Sequence, residues 1–158
     1  MECRDADRAF AVVLAEIQAN AAELERNRAG NQALLAGVIA ADRAGEFPDD
    51  FNLTFEYSLI STSGWETARM TQATHFVPIE RVQELSQLYG LQALYQVSQD
   101  RVLSFIIDVG ATARDDPNKI PSMVRGPLSQ AVMMDQLLGQ AYDSMLVRIE
   151  REKSRGEN

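Results

Sequence analysis

The sequence is short of the residues that most often carry chemistry. It has one cysteine, one histidine and one tryptophan in 158 residues. A lone cysteine, Cys3, excludes an intramolecular disulfide and a thiolate zinc site, and a lone histidine, His75, excludes a multi-histidine metal site. There is no glycine-rich phosphate loop, no nucleophile elbow and no Glu-x-x-His pair. The sequence therefore favours a non-catalytic protein with no metal and no cofactor.

Long apolar runs and excess positive charge are also missing. No stretch approaches the roughly 18 consecutive apolar residues of a membrane span, and the charged start lacks the apolar core of a signal peptide. We therefore expect a soluble chain. The net charge is −8, from 23 acidic and 15 basic residues. An acidic chain repels phosphate backbones and anionic head groups, so we expect no nucleic-acid partner.

The sequence does contain helical periodicity. Apolar residues recur at spacings of three and four in residues 4–29 and, in a shifted phase, in residues 34–45. Gly30 lies between them, but an exposed glycine costs a helix only about 1 kcal/mol, so we expect one continuous helix. Similar stripes predict a helix over residues 78–109 and another at the C-terminal end. The resulting fold class is all-α.

Three segments interrupt these helices. Residues 46–63 alternate between apolar and polar, from Phe51 to Leu59, which predicts an extended crossover with one buried face. Residues 110–127 are rich in proline, glycine and aspartate and predict a loop, in which a helical start at Pro121 is possible. Residues 152–158 read as a frayed tail. The predicted architecture is a single domain, residues 1–158: an antiparallel bundle of three long amphipathic helices plus one short helix.

The short helix is predicted over residues 64–72. Ser63 and Glu66 have the spacing of a capping box, in which the serine accepts a hydrogen bond from an early amide and the glutamate reaches back. Two aspartate pairs, at residues 49–50 and 115–116, fall in loops that lack the spacing of a calcium-binding hand. We interpret both pairs as solvated turn residues.

Two residue sets are candidate sites. Tyr89, Gln92 and Tyr95 share one side of the third helix, and Trp65 opens the short helix. Buried tyrosine and tryptophan need partners for their polar tips, so these four predict a polar pocket for a ligand, or else an ordinary core.

The second set lies on the first helix. Leu14 and Ile17 are part of the apolar stripe, and Glu16 and Asn20 share the adjoining face, which predicts an interhelical contact, an interface or plain surface. Met133, Met134 and Met145 supply adaptable apolar area, for a partner groove or for the core.

Three stretches carry a resemblance: Glu-Ile-x-x-Asn at residues 16–20, Ser-Gly-Trp-Glu-Thr-Ala at residues 63–68 and Leu-Ser-x-Leu-Tyr-x-x-Gln at residues 85–92. Together they resemble an uncharacterised group of short bacterial proteins with an N-terminal membrane anchor and a helical extramembrane domain. The resemblance implies that this chain is the soluble part of a longer, membrane-anchored protein at the periplasmic face of the inner membrane. It implies no catalytic residues.

Two functional hypotheses follow. The first is a non-catalytic helical interaction or sensory domain that binds a protein partner or its own copy through a helix face, with Leu14 and Ile17 in that face. The second is a small-molecule sensor in which four residues line a pocket between helices: Trp65, Tyr89, Gln92 and Tyr95.

Overall fold

The computed structural model describes residues 3–46, 48, 52–112 and 116–156, and these contain four α-helices. The helices are α1 (Cys3–Ala44), α2 (Ser63–Met70), α3 (Ile79–Thr112) and α4 (Ile120–Gly156), with short 3₁₀ turns at Ala73–Phe76 and Pro117–Lys119. None of the described residues lies in a β-strand. The predicted all-α fold is confirmed.

Helix α1 runs without a break through Gly30, as predicted. Its 42 residues give a length of about 63 Å. The glycine has a structural reason, since a Cβ atom at this position would lie 2.6–2.7 Å from the carboxylate of Glu56. The missing side chain leaves room for the Glu56 carboxylate to lie against the helix.

The predicted loop over residues 110–127 is helical at both of its ends, and the alternative helical start at Pro121 lies one residue from the observed one. Helix α3 continues to Thr112 and α4 begins at Ile120. Ile120, Val124 and Leu128 are buried at spacings of four, so packing selects a helix there despite Pro127. Residues 113–115 lie outside the described part. Residues 152–156, part of the predicted frayed tail, belong to α4, whereas residues 157 and 158 lie outside the described part.

Side-chain pairs along the helices fix their directions. Arg28 and Asp42 of α1 bond to Asp135 and Arg125 of α4, so these helices are antiparallel. Helices α3 and α4 are antiparallel as well, through the pairs Arg101–Gln130 and Glu84–Arg148. Helices α1 and α3 consequently run parallel to each other, because the crossover returns the chain to the end at which α1 begins.

The crossover, residues 52–62, lies between α1 and α3 and belongs to no helix or strand. Side-chain amides supply the missing partners. Asn31 bonds to both the N–H and the C=O of Glu56, at 2.9 and 2.8 Å, and Asn20 does the same for Ser61, at 2.9 and 2.8 Å. Gln99 of α3 likewise bonds to the N–H and the C=O of Ser58, at 2.7 and 3.2 Å. The two helices thus hold the crossover as neighbouring strands would.

The buried face of the crossover differs from the predicted one. Phe55 is buried as expected, but Leu59 is 79% exposed, while Ser58 and Ile60 are buried. The alternation therefore slips by one residue after Tyr57. The bonds to Gln99 explain the slip, because they draw Ser58 towards α3. Phe51, the first residue of the predicted stripe, lies outside the described residues.

The core consists of two apolar clusters with a polar layer between them. One cluster includes Ile17, Trp65 and Leu138, and the other includes Val38 and Val102. The residues of the middle polar layer are Arg28, Asn31, Ser58, Ser98, Gln99 and Asp135, of which all but Arg28 are buried.

Arg28 and Asp135 form the ionic part of this layer. Arg28 Nε donates to Asp135 Oδ2 at 2.7 Å. The guanidinium lies against Gly139, one turn after Asp135, where a Cβ atom would overlap its Nη2. Gly139 is therefore the opening through which Arg28 reaches its partner.

No helix within the described ranges combines the length and the apolar character that crossing a bilayer requires.

We expect Asn31→Ala to destabilise the protein by about 2 kcal/mol. The change removes both hydrogen bonds to Glu56 and leaves a backbone donor and acceptor without their partner. Urea unfolding followed by circular dichroism measures the loss. Gln32→Ala is the matched control, because its side chain is exposed on the same turn. An equal loss in both variants would contradict the assigned role of Asn31.

We expect Gly139→Ala to destabilise as well, although alanine ordinarily stabilises a helix by up to about 1 kcal/mol relative to glycine. The new Cβ displaces Arg28 and leaves Asp135 buried without its cation, which costs more than the helix gains. Gly90→Ala in α3 has open space around it and should stabilise. Thermal unfolding of the two variants tests whether the signs are opposite.

Candidate functional site

The structure brings together polar members of the two predicted residue sets. Glu16 of α1 accepts a hydrogen bond from the hydroxyl of Tyr89 at 2.7 Å. Asn20 and Gln92 both donate to the carbonyl oxygen of Ser61, at 2.8 and 3.0 Å. Residues predicted as an interface and residues predicted as a pocket thus share one polar seam, on either side of the crossover.

Glu16 is the centre of this seam. Its Oε2 accepts from Ser61 Oγ at 2.7 Å, Gly64 N at 2.7 Å and Ser63 Oγ at 3.2 Å. Its Oε1 accepts from Trp65 N at 3.3 Å and from the Tyr89 hydroxyl. We call Glu16 and these five donors the Glu16 cluster. Five donors saturate the acceptor capacity of one carboxylate.

The Glu16 cluster also corrects the predicted capping box. The N-cap residue of α2 is Thr62, and its hydroxyl donates to Glu66. The free amides of the first turn bond instead to Glu16, a carboxylate from another helix, which also suits the positive end of the helix dipole. Gly64 permits the approach, since a Cβ atom there would already lie 3.3 Å from the Glu16 carboxylate.

The predicted ligand-binding residues are buried and make contacts within the chain, although Gln92 Oε1 has no hydrogen-bond partner. The rings of Trp65 and Tyr89 stack, with centroids 5.4 Å apart and planes 7° from parallel. Tyr95 donates to Ser58 Oγ at 3.3 Å, and Gln92 Nε2 bonds to Ser61. Each contact is a structural one, so ligand binding by these four stays a prediction.

Burial and hydrogen bonding shift the titration of this seam. Burial by itself would raise the pKa of Glu16, but the bonds from Tyr89, Gly64, Ser61 and Trp65 outweigh it and lower that pKa. Burial, reinforced by the Glu16 carboxylate, raises the pKa of Tyr89 well above its usual value. Burial raises the pKa of Tyr95 to about 12. The carboxylate stays ionised and the phenols stay protonated at neutral pH.

Because of these protonation states, the Glu16 cluster is suited to holding structural elements together and poorly suited to acid–base catalysis. A general base needs a free lone pair and a pKa near the working pH, whereas Glu16 has its oxygens occupied and its pKa lowered. What the arrangement does is fix α2 and the crossover to α1 and α3 through one charged group.

Leu14 and Ile17, which were predicted as interface residues, lie outside the Glu16 cluster. Ile17 is fully buried, and both residues line a cavity of about 450 Å³ at the end of the bundle where α1 begins. None of Trp65, Tyr89, Gln92 or Tyr95 lines this cavity. Leu14 and Ile17 therefore face the interior of the chain, and their role as an interface stays a prediction.

Sequence reasoning singled out Asn20 and Gln92 but missed the other amide residues that hold the crossover. Asn20, Asn27 and Asn31 follow one another at spacings of seven and four, and Gln92, Gln96 and Gln99 at four and three. Asn27 donates to Ser58 Oγ at 3.1 Å, and Gln96 donates to the carbonyl of Ile60 at 3.2 Å. The helical spacing of the asparagines in α1 and of the glutamines in α3, each beside an apolar stripe, was a signal that both sets contact the same segment.

Comparison with known proteins adds no relative: no protein-family model matches the chain, and no curated protein or solved structure is significantly similar to it. The resemblance to membrane-anchored bacterial proteins stays a prediction. Within the described residues there is no group of three histidine, cysteine, aspartate or glutamate side chains that could hold a metal ion. Of the two aspartate pairs, only Asp116 lies within the described part.

We expect the stabilising effect of Glu16 to disappear in acid. Because its pKa is lower in the folded than in the unfolded state, its contribution is complete above the unfolded value, near 4.5, and is lost as the pH falls through the folded value. Glu16→Gln should cost about 2 kcal/mol at pH 7, since a neutral amide cannot accept five hydrogen bonds. The cost should shrink steadily below pH 4.5.

The measurement is urea unfolding of wild type and variant from pH 7 to pH 3. The difference between the two proteins isolates Glu16, which matters because burial raises the pKa of Asp135 and adds an opposite slope. Glu150→Gln, an exposed change on α4, is the control. A difference independent of pH would show that the charge of Glu16 does not stabilise the fold.

Proposed function

We propose that this protein is a non-catalytic interaction domain that associates with a second copy of itself through an exposed face of α3 and α4. The observation that supports the proposal is a surface without charge in a strongly charged chain. Residues 86–99 of α3 include no charged residue. Residues 126–142 of α4 include only Asp135, which is buried against Arg28.

Four exposed apolar side chains lie on this surface. Leu94 is 61% exposed, Val97 65%, Met133 53% and Leu137 45%. We call these four residues the α3–α4 face. Charged residues are depleted and methionine is enriched at the centre of a protein interface, and an exposed apolar patch can mark such a site.

Helix geometry makes these four residues neighbours. Arg101 Nη1 bonds to Gln130 Oε1 across the α3–α4 seam at 3.2 Å. Leu94 precedes Arg101 by seven residues, and Leu137 follows Gln130 by seven. In antiparallel helices these two steps of about 10 Å run in the same direction, so Leu94 and Leu137 lie side by side. Val97 and Met133 lie one turn closer to the Arg101–Gln130 pair.

Charge explains why a second copy suits the face. Two molecules of net charge −8 repel each other over most of their surfaces, but the α3–α4 face presents no charge to its copy. A two-fold axis through the face would pair apolar residues of one molecule with the same residues of the other. The uncharged stretch of α3 is about 21 Å long, so the contact is small and the association should be weak and concentration-dependent.

The test is sedimentation velocity over a concentration series. We expect the wild type to pass from monomer to dimer, and Leu94→Glu with Leu137→Glu to remain monomeric with unchanged helical circular dichroism, since two buried unpaired carboxylates per molecule oppose association. Ile107→Glu is the control, because Ile107 is 73% exposed on α3 but outside the face. A wild type that stays monomeric throughout would refute self-association, and an equal effect of Ile107→Glu would refute the face.

A further inference from the structure

A cavity of about 450 Å³ lies at the end of the bundle, remote from the α3–α4 face. It is bounded by the start of α1, the first 3₁₀ turn, the start of α3 and the end of α4. Ten of its thirteen lining residues are apolar, among them Phe10, Leu14, Phe76, Leu85 and Ile149. The volume falls within the range of small-molecule sites and corresponds to about fifteen non-hydrogen atoms.

Arg81 gives this apolar cavity one polar anchor. Its guanidinium forms an ion pair with Glu152 through Nη2, and Nη1 lies 3.9 Å from Glu84 and 3.6 Å from the sulfur of Met145. The side chain is only 13% exposed. A guanidinium has five N–H donors, and these contacts leave donors over for an oxygen atom in the cavity.

The charges of the lining select the kind of oxygen. Arg81 is the one cation among the lining residues, and it stands with two carboxylates, Asp7 and Glu152. Glu84 also lies close to the guanidinium, but Arg148 pairs with it, so the surplus of negative charge comes from Asp7 and Glu152. A ligand carboxylate would therefore meet a surplus of negative charge and would have to displace Glu152. A hydroxyl or carbonyl oxygen would only have to accept a hydrogen bond from an N–H group of Arg81 that has no other partner.

We propose that this cavity is a binding site for an uncharged, flexible apolar molecule of about ten to fifteen non-hydrogen atoms with one hydroxyl or carbonyl oxygen, which accepts a hydrogen bond from Arg81. The apolar wall holds the chain of the ligand, and Arg81 orients its polar end. The site is independent of self-association, because no residue of the α3–α4 face lines it.

The experiment titrates decan-1-ol into the full chain and follows amide chemical shifts by NMR, with decanoate as the charged counterpart. We expect decan-1-ol to shift resonances of the lining residues and to bind at least about tenfold more tightly than decanoate, because a negative charge near the lining carboxylates is repelled. Arg81→Met should weaken decan-1-ol binding without abolishing it.

Ala11→Trp supplies the blocking variant. Ala11 lines the cavity but is itself exposed, so a large ring there fills the opening without disturbing the core. Ala22→Trp, at an exposed position further along α1, is the matched control. Binding lost in Ala11→Trp and kept in Ala22→Trp supports the site. No decan-1-ol binding to the wild type, or binding unchanged in Ala11→Trp, overturns it, and tighter binding of decanoate overturns the assigned ligand class.

Discussion

The backbone of the crossover is the constraint on which the rest of the structure depends. Residues 56–61 run between two helices without a neighbouring strand, yet their amides and carbonyls need hydrogen-bond partners. Asparagine and glutamine can meet this need because each carries a donor and an acceptor in one plane, as a peptide group does. Asn20, Asn31 and Gln99 therefore act as the missing strand. Once they do, α1 and α3 must stay far enough apart to admit a chain, and Gly30 must leave room for Glu56.

The polar residues of the interior also fix the register of the helices. An apolar stripe alone tolerates sliding by a turn, whereas Arg28 can reach Asp135 in one register only, past Gly139. Asp135 carries a cost, since burial raises its pKa despite the arginine, and ion pairs of this kind add little net stability. We infer that the middle polar layer contributes a unique alignment, while the apolar clusters on either side of it contribute the stabilising energy.

The sequence was informative where structure is local and misleading where a partner is distant in the chain. The apolar stripe of α1 and the continuity of α1 through Gly30 follow from repeated spacings, and both were predictable. The capping of α2 was not, because Glu16 lies 48 residues before Gly64 and the nearby Ser63 and Glu66 offered a plausible local alternative. The exposure of Leu59 was hidden for the same reason, since Gln99 sets the register of Ser58 from 41 residues away. Pro127 shows the converse, a local signal for a loop overridden by the burial of Val124 and Leu128.

Both proposals rest on which side chains already have hydrogen-bond or stacking partners within the chain. Polar side chains inside the chain use their hydrogen bonds to hold the crossover. These include the side chains of Glu16, Asn20, Asn31 and Gln99. Tyr89 is tied to Glu16, and Trp65 is stacked on Tyr89. The available groups on which the two proposals rest are the spare donors of Arg81 in an apolar cavity and four exposed side chains on a surface free of charge, Leu94, Val97, Met133 and Leu137. Such groups can recognise a molecule by shape, apolar contact and a single hydrogen bond, and none of them is a nucleophile or a base.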